Sequence, residues 1–236
     1  MANILLEIIA STVDDCVTAE SGGADRIELC AAIATGGLTP SLGTPVEAKK
    51  QVRIPVMAMV RPRAGGFCYS EGDFAVMRRD AELLVEQEAD GIVFGILHSD
   101  GRVDAKRCGK MLELAGGRQT VFHRAFDVVP DPFSALEELI DLGFTRVLTS
   151  GQQKTALEGS ELIRRLVDFS RGRIEVLPGA GIRAHNVERL IHATGCTQVH
   201  LTAFKANVDA SACEHVDRET VQRMKETLDA IGRNGE

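Results

Sequence analysis

Several things are missing from this sequence of 236 residues, and each absence removes a class of function. There is no excess of basic charge. The formal net charge is -7, which argues against nucleic acid, since that binding rests on neutralising phosphates with Lys and Arg. No apolar run approaches the roughly 20 residues that span a bilayer, so no membrane partner is expected. The opening Met1-Ala2-Asn3 lacks a positive region and leads straight into an apolar segment, so nothing there reads as a secretory signal and a cytoplasmic protein is expected. The six cysteines (Cys16, Cys30, Cys68, Cys108, Cys196 and Cys213) form no C-x-x-C pair and no closed zinc spacing. In a reducing compartment they read as free thiols. A Gly-rich dinucleotide fingerprint is absent too: the first strand is followed by Ser11-Thr12-Val13-Asp14, which weakens the case for a doubly wound open sheet.

What is there is a regular alternation of strand-like and helix-like segments, in a chain whose 44% apolar and 26% charged residues suffice for a full core. Ile4–Ala10 is a short apolar run with one carboxylate, the pattern of a strand buried on both faces, and Ser11 or Thr12 can cap a helix over Val13–Ser21. Further strands are expected at Asp25–Cys30, Val56–Val60, Gly91–Gly95, Thr120–Asp127, Arg146–Gly151, Ile174–Leu177 and Gln198–Leu201. Between them lie helical stripes such as Phe74, Met77, Ala81 and Leu84, or Phe133, Leu136, Leu139 and Ile140 behind Pro132 at a first helical position. Eight strand-then-helix units in a row predict a (β/α)8 TIM barrel, one domain over residues 1–236, with 205–236 a C-terminal extension carrying the last helix.

In such a barrel, polar residues at the C-terminal ends of strands point to the working face. Glu7, Glu28, Arg61, His123, Arg124, Asp127 and His200 are therefore the candidate catalytic set. A carboxylate inside an apolar strand is costly unless paired, so Glu7 and Glu28 on adjacent strands and Arg61 on the third are expected to satisfy one another. That cluster reads equally as a structural plug or as a general acid/base beside an anion clamp. Ser150-Gly151 and the Gly179 and Gly181 of Pro178-Gly179-Ala180-Gly181-Ile182 offer backbone N–H groups to a phosphate, as loops near the ends of barrel strands do. For a soft metal such as Cu(I), Cys30 and Cys68 are the interesting thiols, both in loops of that face, while Met57 and Met59 read as core filler.

Glu28-Leu29-Cys30-Ala31-Ala32, Gly36-Gly37-Leu38-Thr39-Pro40-Ser41, Arg61-Pro62-Arg63 with Gly66-Phe67-Cys68-Tyr69, Phe122-His123-Arg124-Ala125-Phe126-Asp127 and Leu148-Thr149-Ser150-Gly151 together resemble the CutC copper homeostasis protein family, from Glu7 to Phe204. The resemblance implies a cytoplasmic (β/α)8 barrel with a role in copper tolerance, Cu(I) binding through cysteines and a homo-oligomer. Cys30 matches its Glu-Leu-Cys motif. Gln152-Gln153 and Ala180 depart from the glycines expected there. The strand-end residues are instead tools for holding a small anionic metabolite and moving protons. Two functions are carried forward: copper binding, and acid/base chemistry on a small anion.

Overall fold

The structure is a computed structural model and describes residues 4–205 and 215–233; Cys213 and most of the stretch joining the barrel to its last helix lie outside the described residues. Its elements run β1 (Leu5–Ala10), α1 (Val13–Ser21), β2 (Arg26–Leu29), α2 (Gly43–Gln51), β3 (Val56–Met59), α3 (Glu71–Glu86), β4 (Gly91–Phe94), α4 (Ala105–Ala115), β5 (Gln119–Phe122), α5 (Pro132–Leu142), β6 (Arg146–Thr149), α6 (Ser160–Ser170), β7 (Glu175–Pro178), α7 (Val187–Thr194), β8 (Gln198–Leu201) and α8 (Arg218–Arg233). All eight strands are parallel, and neighbours in space are neighbours in sequence from β7 down to β1, with β8 beside β1. A parallel bridge between Gly179 and His200 joins the two outer strands and makes this the (β/α)8 barrel that the alternation predicts.

The helix starts are written locally. Thr12 and Asp15 form a reciprocal capping box at α1, and Ser70 and Asp73 do the same at α3. Asp104 caps α4, and Asp131 caps α5 ahead of Pro132. The strands bury both faces. Leu6, Ile8, Ile27, Leu29, Phe94 and Phe122 point outward into the apolar layer shared with the helices. Residues of the opposite parity point inward, where Cys30, Met57, Met59, Val93, Val121, Leu148 and Leu177 form a separate inner cluster.

Below that inner cluster, the barrel floor is polar. Arg26, Gln119, Arg146, Glu175 and Gln198 each open their strand. Arg26 donates to the Gln198 side-chain oxygen at 2.8 Å, and Arg146 reaches the same oxygen at 3.0 Å, Glu175 at 2.7 Å and Gln119 at 3.1 Å. Cross-bonded guanidiniums and amides close the lower end of the barrel without leaving most of their polar atoms unpaired.

Two sequence expectations change here. Thr120–Asp127 is not one strand: β5 stops at Phe122, and Arg124–Val128 winds into a short 3₁₀ helix. His123 causes the break, because its own ring Nδ1 accepts the Ala125 N–H at 3.2 Å and caps the turn. The Arg61–carboxylate cluster does not form either. Arg61 spends its terminal nitrogens on the carbonyls of Thr35, Gly37 and Gly65, tying the loop after β2 to the loop after β3.

Candidate active site at the barrel mouth

The polar strand ends gather around a cavity of about 450 Å³ at the C-terminal face, lined among others by Glu28, Arg61, His123, Arg124, Asp127 and His200. Its walls are mostly apolar, from Ile9, Ile33, Met59, Phe67, Leu148 and Leu201. An apolar pocket with a few convergent polar groups is the usual form of a small-molecule site.

Glu7 lies just beneath, directly across from Arg26 on β2 and from His200 on β8. One of its oxygens takes a short contact from Arg26, and the other meets His200 Nδ1 at 2.8 Å. Burial works against the charge of Glu7, but Arg26, His200 and Arg146 overcome it and hold the carboxyl down at about 2. An ionised Glu7 can only accept, so His200 Nδ1 carries the proton of that bond. His200 Nε2 then faces Glu28, 3.8 Å from Oε2. Burial opposes a charge on His200, yet Glu28 and Glu7 raise its affinity for a proton above that of an ordinary imidazole. For Glu28 burial dominates and pushes the carboxyl up to about 7, against the pull of His200 and with a smaller push from Glu7. Glu28 therefore exchanges its proton near neutrality beside an imidazole that holds its own more tightly than usual, a pairing suited to acid/base work.

His123 behaves differently. Burial, then the neighbouring charge of Arg61, pushes its pKa down to about 3, so the ring stays neutral. It packs against Phe67 with centroids 5.0 Å apart, and Phe67 in turn receives the Arg61 guanidinium on its face.

Arg124 and Asp127 form a knot at the rim. Asp127 accepts from Thr149 Oγ1 at 2.6 Å, from the Ser150 N–H at 3.0 Å and from Arg124 Nε at 2.8 Å. With its oxygens so engaged, Asp127 positions Arg124 rather than offering a free carboxylate. Ser150 Oγ accepts from Arg124 Nη2 at 2.9 Å, so Ser150 supports the same guanidinium without lining the cavity. Gly151 sits behind it at φ +67°, where a Cβ would fall 2.3 Å from the Gly159 carbonyl; close packing of two backbone segments explains this glycine. Gly179 answers to the barrel seam, since a Cβ there would meet Leu148 at 2.7 Å and His200 at 3.2 Å. Gly181 does line the cavity, beside Arg183 and Thr202.

Sequence reasoning passed over Arg26, Gln198, Phe67 and Arg183. The first two had a visible signal. Arg26 and Glu28, like Gln198 and His200, are polar pairs two apart in a strand and so share its inner face.

The sequence pattern of the CutC family matches residues 4–205. The chain belongs to the CutC family. A CutC family protein from Treponema denticola is 53% identical over 211 residues, covering 89% of this chain and 86% of its own length. The human copper homeostasis protein cutC homolog is 47% identical over 199 residues, covering 84% of this chain and 73% of its own. A crystal structure of CutC from Streptococcus agalactiae aligns with a TM-score of 0.81 at 36% identity, over 84% of this chain and 98% of that one.

Copper can be weighed against this CutC barrel's own donors. Cys30 is fully buried in the inner cluster, and burial, then the nearby charge of Glu28, pushes its thiol far up, away from the thiolate that binds metal. Cys68 is exposed and lines a different cavity, with Tyr69, Glu71, His98, Asp104 and Arg107. Two thiols so placed do not fit as one preformed Cu(I) site. Glu7, Glu28 and His200 lie close enough to hold a metal ion. They are hard or intermediate donors, however, which Cu(I) does not favour, and Arg26 already engages Glu7.

Proposed function

We propose that this CutC family member is a cytoplasmic (β/α)8-barrel enzyme acting on a small anionic metabolite, phosphorylated or carboxylated, by general acid/base chemistry. One observation carries the reading: an apolar cavity at the C-terminal face holds the Glu28–His200 pair at its base and Arg124 and Arg183 at its rim. Glu28 and His200 move protons; Glu7 positions His200; Arg124, held by Asp127 and Ser150, receives the anion. Thermal shift with a panel of phosphorylated and carboxylated metabolites tests it. Stabilisation by at least one anion, lost in Arg124→Ala, is expected; no shift with any compound would count against the reading.

A second reading is Cu(I) binding at Cys30 and Cys68 in copper homeostasis. It is favoured by the names of the human and mouse relatives, and by the presence of Met57 and Met59 in the same inner cluster as Cys30. It requires the Cys30 layer to open. Anaerobic Cu(I) titration against a competing chelator decides: an affinity unchanged in the Cys30→Ser, Cys68→Ser double variant excludes that site. A homo-oligomer belongs to both readings and is checked by light scattering.

A further inference from the structure

Among the described side chains, five buried polar atoms have no hydrogen-bond partner, and three of them belong to Glu28, Arg61 and His123, which line the same cavity. Buried polar atoms in folded proteins are nearly always satisfied, so orphans that share a cavity mark where a ligand's own polar atoms belong. The two decisive ones are complementary. Glu28 Oε1 is a carboxylate oxygen on a residue 2% exposed. His123 is 4% exposed; its Nδ1 accepts the Ala125 N–H, so in the neutral ring the hydrogen sits on Nε2 and has nothing to bond.

A base without a partner and a neutral N–H donor without a partner, in one apolar pocket, suit a particular kind of molecule. We propose that the substrate is a carbonyl compound carrying an acidic C–H next to its C=O, and that Glu28 and His123 are catalytic residues for proton transfer at that carbon. This rests on the acid/base reading above and narrows it to a reaction class. The Glu28 carboxylate takes the proton; the C–H electron pair becomes a C=C bond, and the carbonyl π pair moves to oxygen. The resulting enolate oxygen accepts the hydrogen bond from His123 Nε2–H, with the fixed positive charge of Arg61 nearby. Where that carbon carries a hydroxyl, the hydroxyl proton passes to the enolate oxygen and Glu28 returns its proton to the former carbonyl carbon. This moves the C=O by one position to give an isomer; return to the original carbon gives back the substrate. No oxidant, reductant or second substrate is required. A neutral imidazole suits this task better than an imidazolium, because it stabilises the oxyanion without delivering a full proton to it. His200, held by Glu7 and facing Glu28, keeps its part in moving the Glu28 proton.

Calorimetry on the full chain tests the class before the substrate is known. The probes are phosphoglycolohydroxamate and malonohydroxamate, which mimic an enolate beside a phosphate or a carboxylate, and their partners glycerol 3-phosphate and 3-hydroxypropanoate, which lack the carbonyl. At least one hydroxamate is expected to bind at least ~100-fold tighter than its partner, the lower end for transition-state mimics. In His123→Phe that ratio falls below about tenfold, and His123→Gln, which keeps an N–H, retains more of it. Nitrogen-15 spectra of the wild-type chain supply a readout that does not depend on a variant folding: His123 should show a protonated Nε2 and no titration between about pH 5 and 8. A ring protonated on Nδ1, or a titrating one, overturns the proposal. Probes that bind with equal affinity, and are lost together in Arg124→Ala, also overturn it while supporting the anion site. Binding by none of the four compounds overturns the proposal and counts against the anion site as well.

Discussion

Glu7→Gln removes one charge from the most deeply buried ion pair of the barrel and alters almost no volume. Two independent routes give its magnitude. Breaking a buried pair by removing one partner leaves Arg26 uncompensated and costs about 3 to 5 kcal/mol. The pKa route starts from a carboxyl held at about 2 rather than its ordinary 4.5. At about 1.4 kcal/mol per pH unit, that drop is worth about 3 kcal/mol. Glu7 is fully buried, so solvent screening does not reduce the figure. Because the folded pKa is depressed, the stabilisation is complete above about pH 5 and fades as the pH falls towards 2; about 2 kcal/mol of it is gone by pH 3. Urea unfolding of wild type and variant at pH 7 and at pH 3 measures it. At pH 7 the variant midpoint should fall by about 1 M, given a steep urea dependence for a chain of this size. At pH 3 the gap should shrink to less than half. A gap under about 1 kcal/mol, or one that does not change with pH, would refute the view that the Arg26–Glu7–His200 chain is a strong buried ion network.

Other outcomes follow from single features. With a thiol reagent at pH 8 and peptide mapping, Cys68 should label at least ~10-fold faster than Cys30, because Cys68 is open to the reagent whereas Cys30 is fully buried and burial pushes its thiol up. Gly151→Ala should lower stability by about 2 kcal/mol or more through its left-handed backbone and its contact with the Gly159 carbonyl, seen as a lower Tm. Thr12→Ala removes one half of the α1 capping box and should cost about 1 kcal/mol in urea unfolding with no change in ligand binding.

The barrel could be read from the sequence because each strand is a short apolar run closed by turn residues, and each helix shows its stripe. The Val13–Ser21 helix and the Gln198–Leu201 strand appear with the boundaries expected of them. The stretch around His123 did not, since its break depends on a side chain capping its own backbone, which leaves no trace in a hydrophobic pattern. The same limit applies to pairing. The sequence places Glu7, Glu28 and Arg61 on neighbouring strands. Only the structure brings Arg26 to Glu7 and turns Arg61 toward three loop carbonyls. Cys30 and Cys68 both follow strand ends, yet burial separates a core thiol from a surface one. Register can be guessed from residue order, whereas the direction of a long side chain depends on which partners reach it first.

The cross-bonded floor also decides the traffic of the cavity. Arg26, Arg146 and Gln198 are each no more than 4% exposed, so the lower end of the barrel is a stopper and the pocket is a cul-de-sac. Whatever enters at the rim beside Arg124 and Arg183 must back out past the same two guanidiniums. Arrival and departure share one doorway, and an anion lingering there blocks the next one.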